Sequence, residues 1–253
     1  MIALLVFFLG LSIGSFLNVV IDRLPQNKNI LRGRSSCDSC KKKLLWFDLV
    51  PVFSFINLAG HCRFCKQKIN IRNPIVELIT GILFVLTFFY LFTSVTFDFI
   101  KFAFFLYIIS SFIAIFFIDL KQGIIPDKIV YPAILLTFLY LIFYSPNLFA
   151  NHLFPAVLSF LLFFLILLIT GGRGMGFGDV KLSFLLGLFL GFPKIIAGIY
   201  LAFLTGAIVS IILIIWRKKA FRGTIAFGPF LVLGGILALF LGERMVSLLL
   251  NFW

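Results

Sequence analysis

Histidine is nearly missing from this chain: 253 residues contain two, His61 and His152. No Ser-His-Asp or H-E-x-x-H arrangement appears around them. Acidic residues are also scarce, nine against 22 Lys and Arg, and charged residues of both signs make up only 12% of the chain. No basic residue precedes the first apolar run, about Ile2 to Ile21, and its basic residues follow it. A secretory signal peptide has the reverse order, so this run reads as a retained helix. No cysteine lies outside one loop, and no internal repeat is read along the chain.

Apolar residues fill the space left by charge. They form 62% of the chain, and Phe alone occurs 36 times. A soluble domain of this length cannot hide that much apolar surface, so the chain reads as an all-α polytopic membrane protein. Eight apolar runs are expected to cross: about Ile2–Ile21, Ile75–Thr93, Phe99–Ile118, Ile129–Tyr144, Leu153–Thr170, Val180–Phe192, Ile195–Trp216 and Phe230–Leu250. The sixth is short, with Pro193 at its turn. The net charge of +13 follows the membrane and not a nucleic acid. Of the 22 basic residues, 11 lie between Arg23 and Arg72, and Arg217, Lys218, Lys219 and Arg222 form a second cluster. Basic clusters of this kind mark cytoplasmic loops. The N-terminus is therefore expected outside and Arg23 inside. The loops Asp119–Lys128, Gly171–Asp179 and Arg217–Phe227 then also fall inside.

The one long loop carries Cys37-Asp38-Ser39-Cys40 and, 21 residues later, Cys62-Arg63-Phe64-Cys65. Paired C-x2-C knuckles suit one tetrahedral zinc with Cys37, Cys40, Cys62 and Cys65 as ligands. A cytoplasmic, reducing compartment favours metal over disulfides. The expected organisation is a first transmembrane helix at 1–21, a tetracysteine loop at 22–74 and a seven-helix core at 75–253.

Ionisable groups at membrane depth are costly and tend to be functional. Of the nine acids, Asp22, Asp38 and Asp48 lie in the polar loop, and Asp98 and Glu243 lie near span ends. Four remain. Asp119 closes the apolar helix Phe99–Ile118, at the end where the helix dipole disfavours a carboxylate. Asp127 follows Pro126 and is expected to cap the next helix. Asp179 ends Gly174-Met175-Gly176-Phe177-Gly178-Asp179, where the glycines suit an opened helix end. Capping is the competing role for it. Glu77 is the acid of the second span, placed to pair with Arg72 or Lys68 or to meet a cationic ligand. Two close carboxylates share one proton. Asp119 and Asp179 fall on the same face, so one can take a proton from water while the other protonates a scissile carbonyl.

The motifs, in order, resemble the type IV prepilin peptidases. They are Gly14-Ser15-Phe16-Leu17-Asn18-Val19 with Arg23-Leu24-Pro25; the two knuckles; Asn73-Pro74 through Glu77; Asp119 with Ile125-Pro126-Asp127; Gly176-Phe177-Gly178-Asp179 with Lys181; and Phe227-Gly228-Pro229. Ala226 stands where that family often has proline, and Asn73 where it often has tyrosine. The resemblance implies a polytopic aspartic protease with Asp119 and Asp179 as its catalytic pair. Its substrates would be type IV prepilins and pilin-like secretion subunits, its surroundings the lipid bilayer, and nucleic acid no partner. It implies cleavage of a basic leader after a glycine at the cytoplasmic side of the bacterial inner membrane. Methylation of the new N-terminus with S-adenosylmethionine would follow, with Glu77 the candidate for that step. No Gly-rich loop of the soluble methyltransferase kind is present. Gly10, Gly14 and Ser15 read as helix-packing residues. Rival readings are another G-x-G-D intramembrane protease, a transporter with a zinc-binding regulatory loop, and a non-catalytic scaffold.

Overall fold

The computed structural model describes residues 1–30, 36–37, 39–43, 45–92, 98–172, 174–216 and 226–251. Asp38 and the basic cluster Arg217, Lys218, Lys219 and Arg222 lie outside the described residues. The chain forms helices α1 (Ile2–Arg23), α2 (Phe53–Asn57), α3 (Arg72–Phe92), α4 (Phe99–Gln122), α5 (Asp127–Tyr144), α6 (Phe149–Thr170), α7 (Phe177–Leu190), α8 (Lys194–Ile215) and α9 (Gly228–Asn251). Short 3-10 turns occur at Leu24–Gln26, Trp46–Leu49 and Pro146–Leu148. No strand occurs among the described residues. Among the described residues, seven helices are long and apolar enough to cross a bilayer. The eighth apolar segment, α7, has only 14 residues, about 21 Å at 1.5 Å per residue, against a hydrocarbon core of ~30 Å. The protein is a multi-pass membrane protein, and the chain divides into two compact units, Met1–Ala114 and Ile115–Trp253.

In the first unit, α1 and α3 run antiparallel in a close register. A Cβ on Gly10 would lie 2.7 Å from the Gly81 Cα, and one on Gly14 would lie 2.7 Å from the Glu77 Cα. One turn further, Asn18 Nδ2 donates to the Asn73 carbonyl at 3.0 Å. Gly10, Gly14 and Asn18 thus face Gly81, Glu77 and Asn73 at four-residue steps on both helices. Small residues at that spacing let two backbones touch, which drives association where lipid removes the hydrophobic effect. Arg72 closes the register with an ion pair to Asp22 at 2.6 Å, so it is not the partner of Glu77.

In the second unit, α7 is the central helix. Val180, Leu182, Leu185 and Leu188 are all fully buried. A helix apolar on every side belongs inside a bundle. Gly187 lets α7 meet α6, since a Cβ there would overlap the Ala156 backbone. The Ser159 hydroxyl of α6 donates to the Ser183 carbonyl of α7 at 2.9 Å. The α8–α9 pair is sealed at Gly234, where a Cβ would collide with the Gly198 carbonyl. Outward faces stay apolar: Leu158, Leu161, Leu165 and Ile169 of α6 are all exposed, as a lipid-facing stripe requires.

Candidate functional site

Asp119 lies on α4 one turn before its end, not at the terminus. The helix continues to Gln122, and the Gly123 N–H donates to the Asp119 carbonyl at 2.8 Å. Its side chain is 4% exposed, and Oδ2 has no hydrogen-bond partner. The carboxylate presses on the start of α9, where a Cβ on Gly228 would collide with Oδ2. Asp179 is the third residue of α7 and is 7% exposed. Its Oδ2 accepts the Gly176 N–H at 3.1 Å, and its own N–H donates to the Gly176 carbonyl at 3.1 Å. Its Oδ1 is buried without a partner. Capping therefore occupies one oxygen of Asp179 and leaves the other.

Ile125 joins the two positions. A Cβ on Gly178 would lie 2.9 Å from the Ile125 Cβ, and one on Gly228 would lie 3.0 Å from its Cδ1. The glycines beside both aspartates thus make room for one side chain, Ile125. Buried polar atoms are normally satisfied, so one orphan carboxylate oxygen on each of two neighbouring acids calls for an explanation.

Asp127 does not cap α5. It is the first residue of that helix, Pro126 holds the cap position, and no side-chain cap bond forms there. Its carboxylate pairs instead with Lys181 of α7. The Lys181 ammonium also lies over the rings of Tyr131 and Phe177, 5.3 and 5.4 Å from their centroids. That cluster ties the start of α5 to the start of α7.

The four cysteines come together: their Sγ atoms all lie within 4.8 Å of one another, with Cys37 and Cys65 3.8 Å apart. A tetrahedron with Zn–S near 2.3 Å has S···S edges of about 3.8 Å, whereas a disulfide needs ~2.0 Å. The donor set fits zinc. The two knuckles are copies of each other. In the first, Lys41 N–H donates to Cys37 O and Cys37 N–H to Lys42 O; in the second, Lys66 N–H donates to Cys62 O and Cys62 N–H to Gln67 O. Lys41 and Lys66 have φ of 57° and 56°, and the bridges Ser36–Lys43 and His61–Lys68 match as well. The sequence does therefore contain a repeat, C-x2-C-K-x-K, at Cys37–Lys43 and Cys62–Lys68. Backbone amides of Cys65 and Phe64 hold the Cys62 thiol down to about 7. The Gln67 amide favours the Cys65 thiolate, but desolvation and the crowding of Cys62, Cys40 and Cys37 push that thiol up to about 11. Four thiols this close cannot all ionise without a cation among them.

Glu77 is 8% exposed, and Oε2 accepts the Val52 N–H at 2.8 Å. Among the described residues no cation lies in ion-pair range of Glu77. Nearby, the Asn18 Oδ1 and Arg72 Nε atoms are buried and unpartnered. Asp48 of the loop is hydrogen-bonded. It is buried, and it pairs with Arg63 at 2.9 Å.

A membrane-embedded helical bundle with two buried carboxylates, each short of a partner, together with a four-thiol cluster, is the class the geometry defines. Two family models match the chain: the bacterial peptidase A24 N-terminal domain over residues 8–91 and the type IV leader peptidase family over residues 104–211. The chain is 32% identical to a prepilin leader peptidase/N-methyltransferase of Pseudomonas aeruginosa, across 96% of this chain and 92% of that protein. It is 33% identical to one from Aeromonas salmonicida, across 94% and 90%, and 30% identical to one from Bacillus subtilis, across 96% of each. No solved structure matches. The chain belongs to the type IV leader peptidase family.

Proposed function

We propose that this protein removes the short basic leader from type IV prepilins and pilin-like secretion subunits and then methylates the new N-terminus. The observation that carries the first activity is the pair of buried, partner-short carboxylates beside Ile125. Asp119 and Asp179 are the catalytic pair in this reading. One, ionised, takes a proton from water as it attacks the scissile carbonyl. The other, protonated, donates to the carbonyl oxygen, and the roles reverse to expel the amine. The orphan oxygens, Asp119 Oδ2 and Asp179 Oδ1, are the atoms free to do this. A prepilin carries its positive leader in the cytoplasm and its apolar helix in the bilayer. Its scissile bond then sits at the boundary, beside the last turn of α4 with Asp119 and the first turn of α7 with Asp179. We accordingly place the protein in the bacterial inner membrane, with its N-terminus outside and the tetracysteine domain (22–74) and both aspartates on the cytoplasmic side of the core (75–253).

In this reading Cys37, Cys40, Cys62 and Cys65 hold one structural zinc that orders the loop. S-adenosylmethionine, when bound, supplies an electrophilic methyl group. The unpartnered atoms of the first unit fit its amino-acid end: Asn18 Oδ1 can accept from an ammonium, and Arg72 Nε can donate to a carboxylate. Glu77, a carboxylate without a cation, suits the positive charge of the sulfonium or of the incoming amine. The deciding experiment is cleavage of a purified prepilin in detergent by the purified protein, with and without the two aspartates. A transporter or a scaffold would give no product. The proposed enzyme gives a shortened pilin that depends on both acids.

A further inference from the structure

The loop between α1 and α3 is not polar throughout. Residues 44–60 read Leu-Leu-Trp-Phe-Asp-Leu-Val-Pro-Val-Phe-Ser-Phe-Ile-Asn-Leu-Ala-Gly, with Asp48 the one charge among them. That charge is buried against Arg63. Leu45, Phe47, Leu49, Val50, Phe53 and Ile56 are between 38% and 67% exposed. In water this would be a contiguous apolar patch at the tip of a small domain, an arrangement soluble surfaces avoid.

Its position relative to the first unit's helices supplies the occupant. Val52 N–H is bonded to Glu77, five residues beyond Arg72 and so about 8 Å inside that end of α3. The Phe53 ring stacks on the ring of Phe8, with centroids 6.4 Å apart. Phe8 lies fifteen residues before Arg23, about 22 Å along α1 from its basic end. Arg23 and Arg72 mark the level at which charge leaves the two helices. The tip of the loop therefore passes that level and runs alongside the apolar length of α1.

The backbone is arranged for a place without water. Pro51 has no N–H, the Val52 N–H goes to Glu77, and the Phe53 N–H goes back to the Pro51 carbonyl at 2.6 Å. This last bond closes a γ-turn with Val52 at φ 61° and ψ −48°, a strained conformation for a β-branched residue. Ser54, Ile56, Leu58, Ala59 and Gly60 donate to carbonyls within the same segment. Non-helical backbone at membrane depth requires such internal pairing.

We infer that residues 45–58 form a re-entrant hairpin that dips into the bilayer beside α1 and α3, its exposed face covered by lipid acyl chains and its tip held by Glu77. The hairpin belongs to the membrane part of the protein, and the zinc knuckles on either side of it close its neck.

The test places a photoreactive benzoylphenylalanine at Ile56, and in a separate protein at the exposed Gln67, in the full chain reconstituted into phosphatidylcholine vesicles. After irradiation, intact-mass spectrometry is expected to find phosphatidylcholine adducts at Ile56 and none at Gln67. Equal yields at the two positions, no adduct at Ile56, or adducts between two copies of the chain would overturn the inference. As a second measurement, the fluorescence of Ile56→Trp, less that of the parent, is expected to be quenched by lipids brominated at mid-chain. No quenching by those lipids would equally overturn it. Neither readout needs prepilin cleavage, so it stands or falls apart from the proposed activity.

Discussion

Gly228→Ala is the sharpest probe of the candidate catalytic pair, because it adds one carbon at the point where α9 meets Asp119. The new Cβ would collide with Asp119 Oδ2 and sit 3.0 Å from Ile125 Cδ1. Restoring ordinary van der Waals contact requires the carboxylate to move by about 1 Å, and a misplacement of that size can cost about 100-fold in rate. That corresponds to roughly 2.7 kcal/mol of transition-state stabilisation. The helix itself does not object: alanine is a better helix former than glycine by up to ~1 kcal/mol. The expected result is a protein that inserts and melts like the parent, with kcat for prepilin cleavage down about 100-fold and KM little changed. Gly206→Ala is the matched control, since its Cβ would meet its nearest neighbour, Phe227 Cε2, at an ordinary 3.4 Å. Near-parental cleavage by an inserted, folded Gly228→Ala protein would refute the placement of Asp119 against α9 and its part in the chemistry.

Asp119→Asn and Asp179→Asn are each expected to abolish leader removal in the detergent assay, while membrane insertion persists. Asp127→Asn should keep most activity, because it loses only a part-exposed pairing with Lys181, which typically contributes about 0–1 kcal/mol. One zinc per chain is expected by metal analysis, and none in a variant with all four cysteines changed to serine; equal zinc in both would remove the site. Glu77→Gln keeps an acceptor for the Val52 N–H but loses the charge, whereas Glu77→Ala also strands that donor at a cost of about 1–3 kcal/mol. If the charge serves methyl transfer, mass spectra of pilin processed by Glu77→Gln will show cleaved, unmethylated product. Fully methylated product would leave Glu77 as a hairpin anchor only.

Hydropathy alone placed every long helix to within a few residues, because a bilayer demands about 20 apolar residues in a row and little else produces them. Asp119 and Asp179 stood out for the same reason, as charges where charge is expensive. What escaped was information held in contacts between segments. Asp127 sits at a helix start with a side chain suited to capping, and only the fold brings Lys181 to it. Residues 44–60 read as part of a polar loop because basic residues crowd both sides of them, and a segment too short to span gives no spanning signal. The knuckle repeat is hidden by its brevity: seven residues with four fixed positions, two Cys and two Lys, stand out only once the matching hydrogen bonds are seen. α7 read as a short span, yet its burial on every side makes it the axis of its unit.

The α1–α3 register also dictates an order of biogenesis. Asn18 lies within α1, and the carbonyl it donates to belongs to Asn73, 55 residues later in the chain. At synthesis rates of about 5–20 residues per second, the first helix waits some 3–11 s for its partner. During that interval Gly10, Gly14 and Asn18 form an open seam that any other small-faced helix in the membrane could occupy. The intervening segment carries the clustered cysteines, and a folded neck there would bring residue 72 back toward residue 23 and shorten the search when α3 emerges. A closed cysteine cluster at the neck would in this way shorten the time for which the α1 seam stays open.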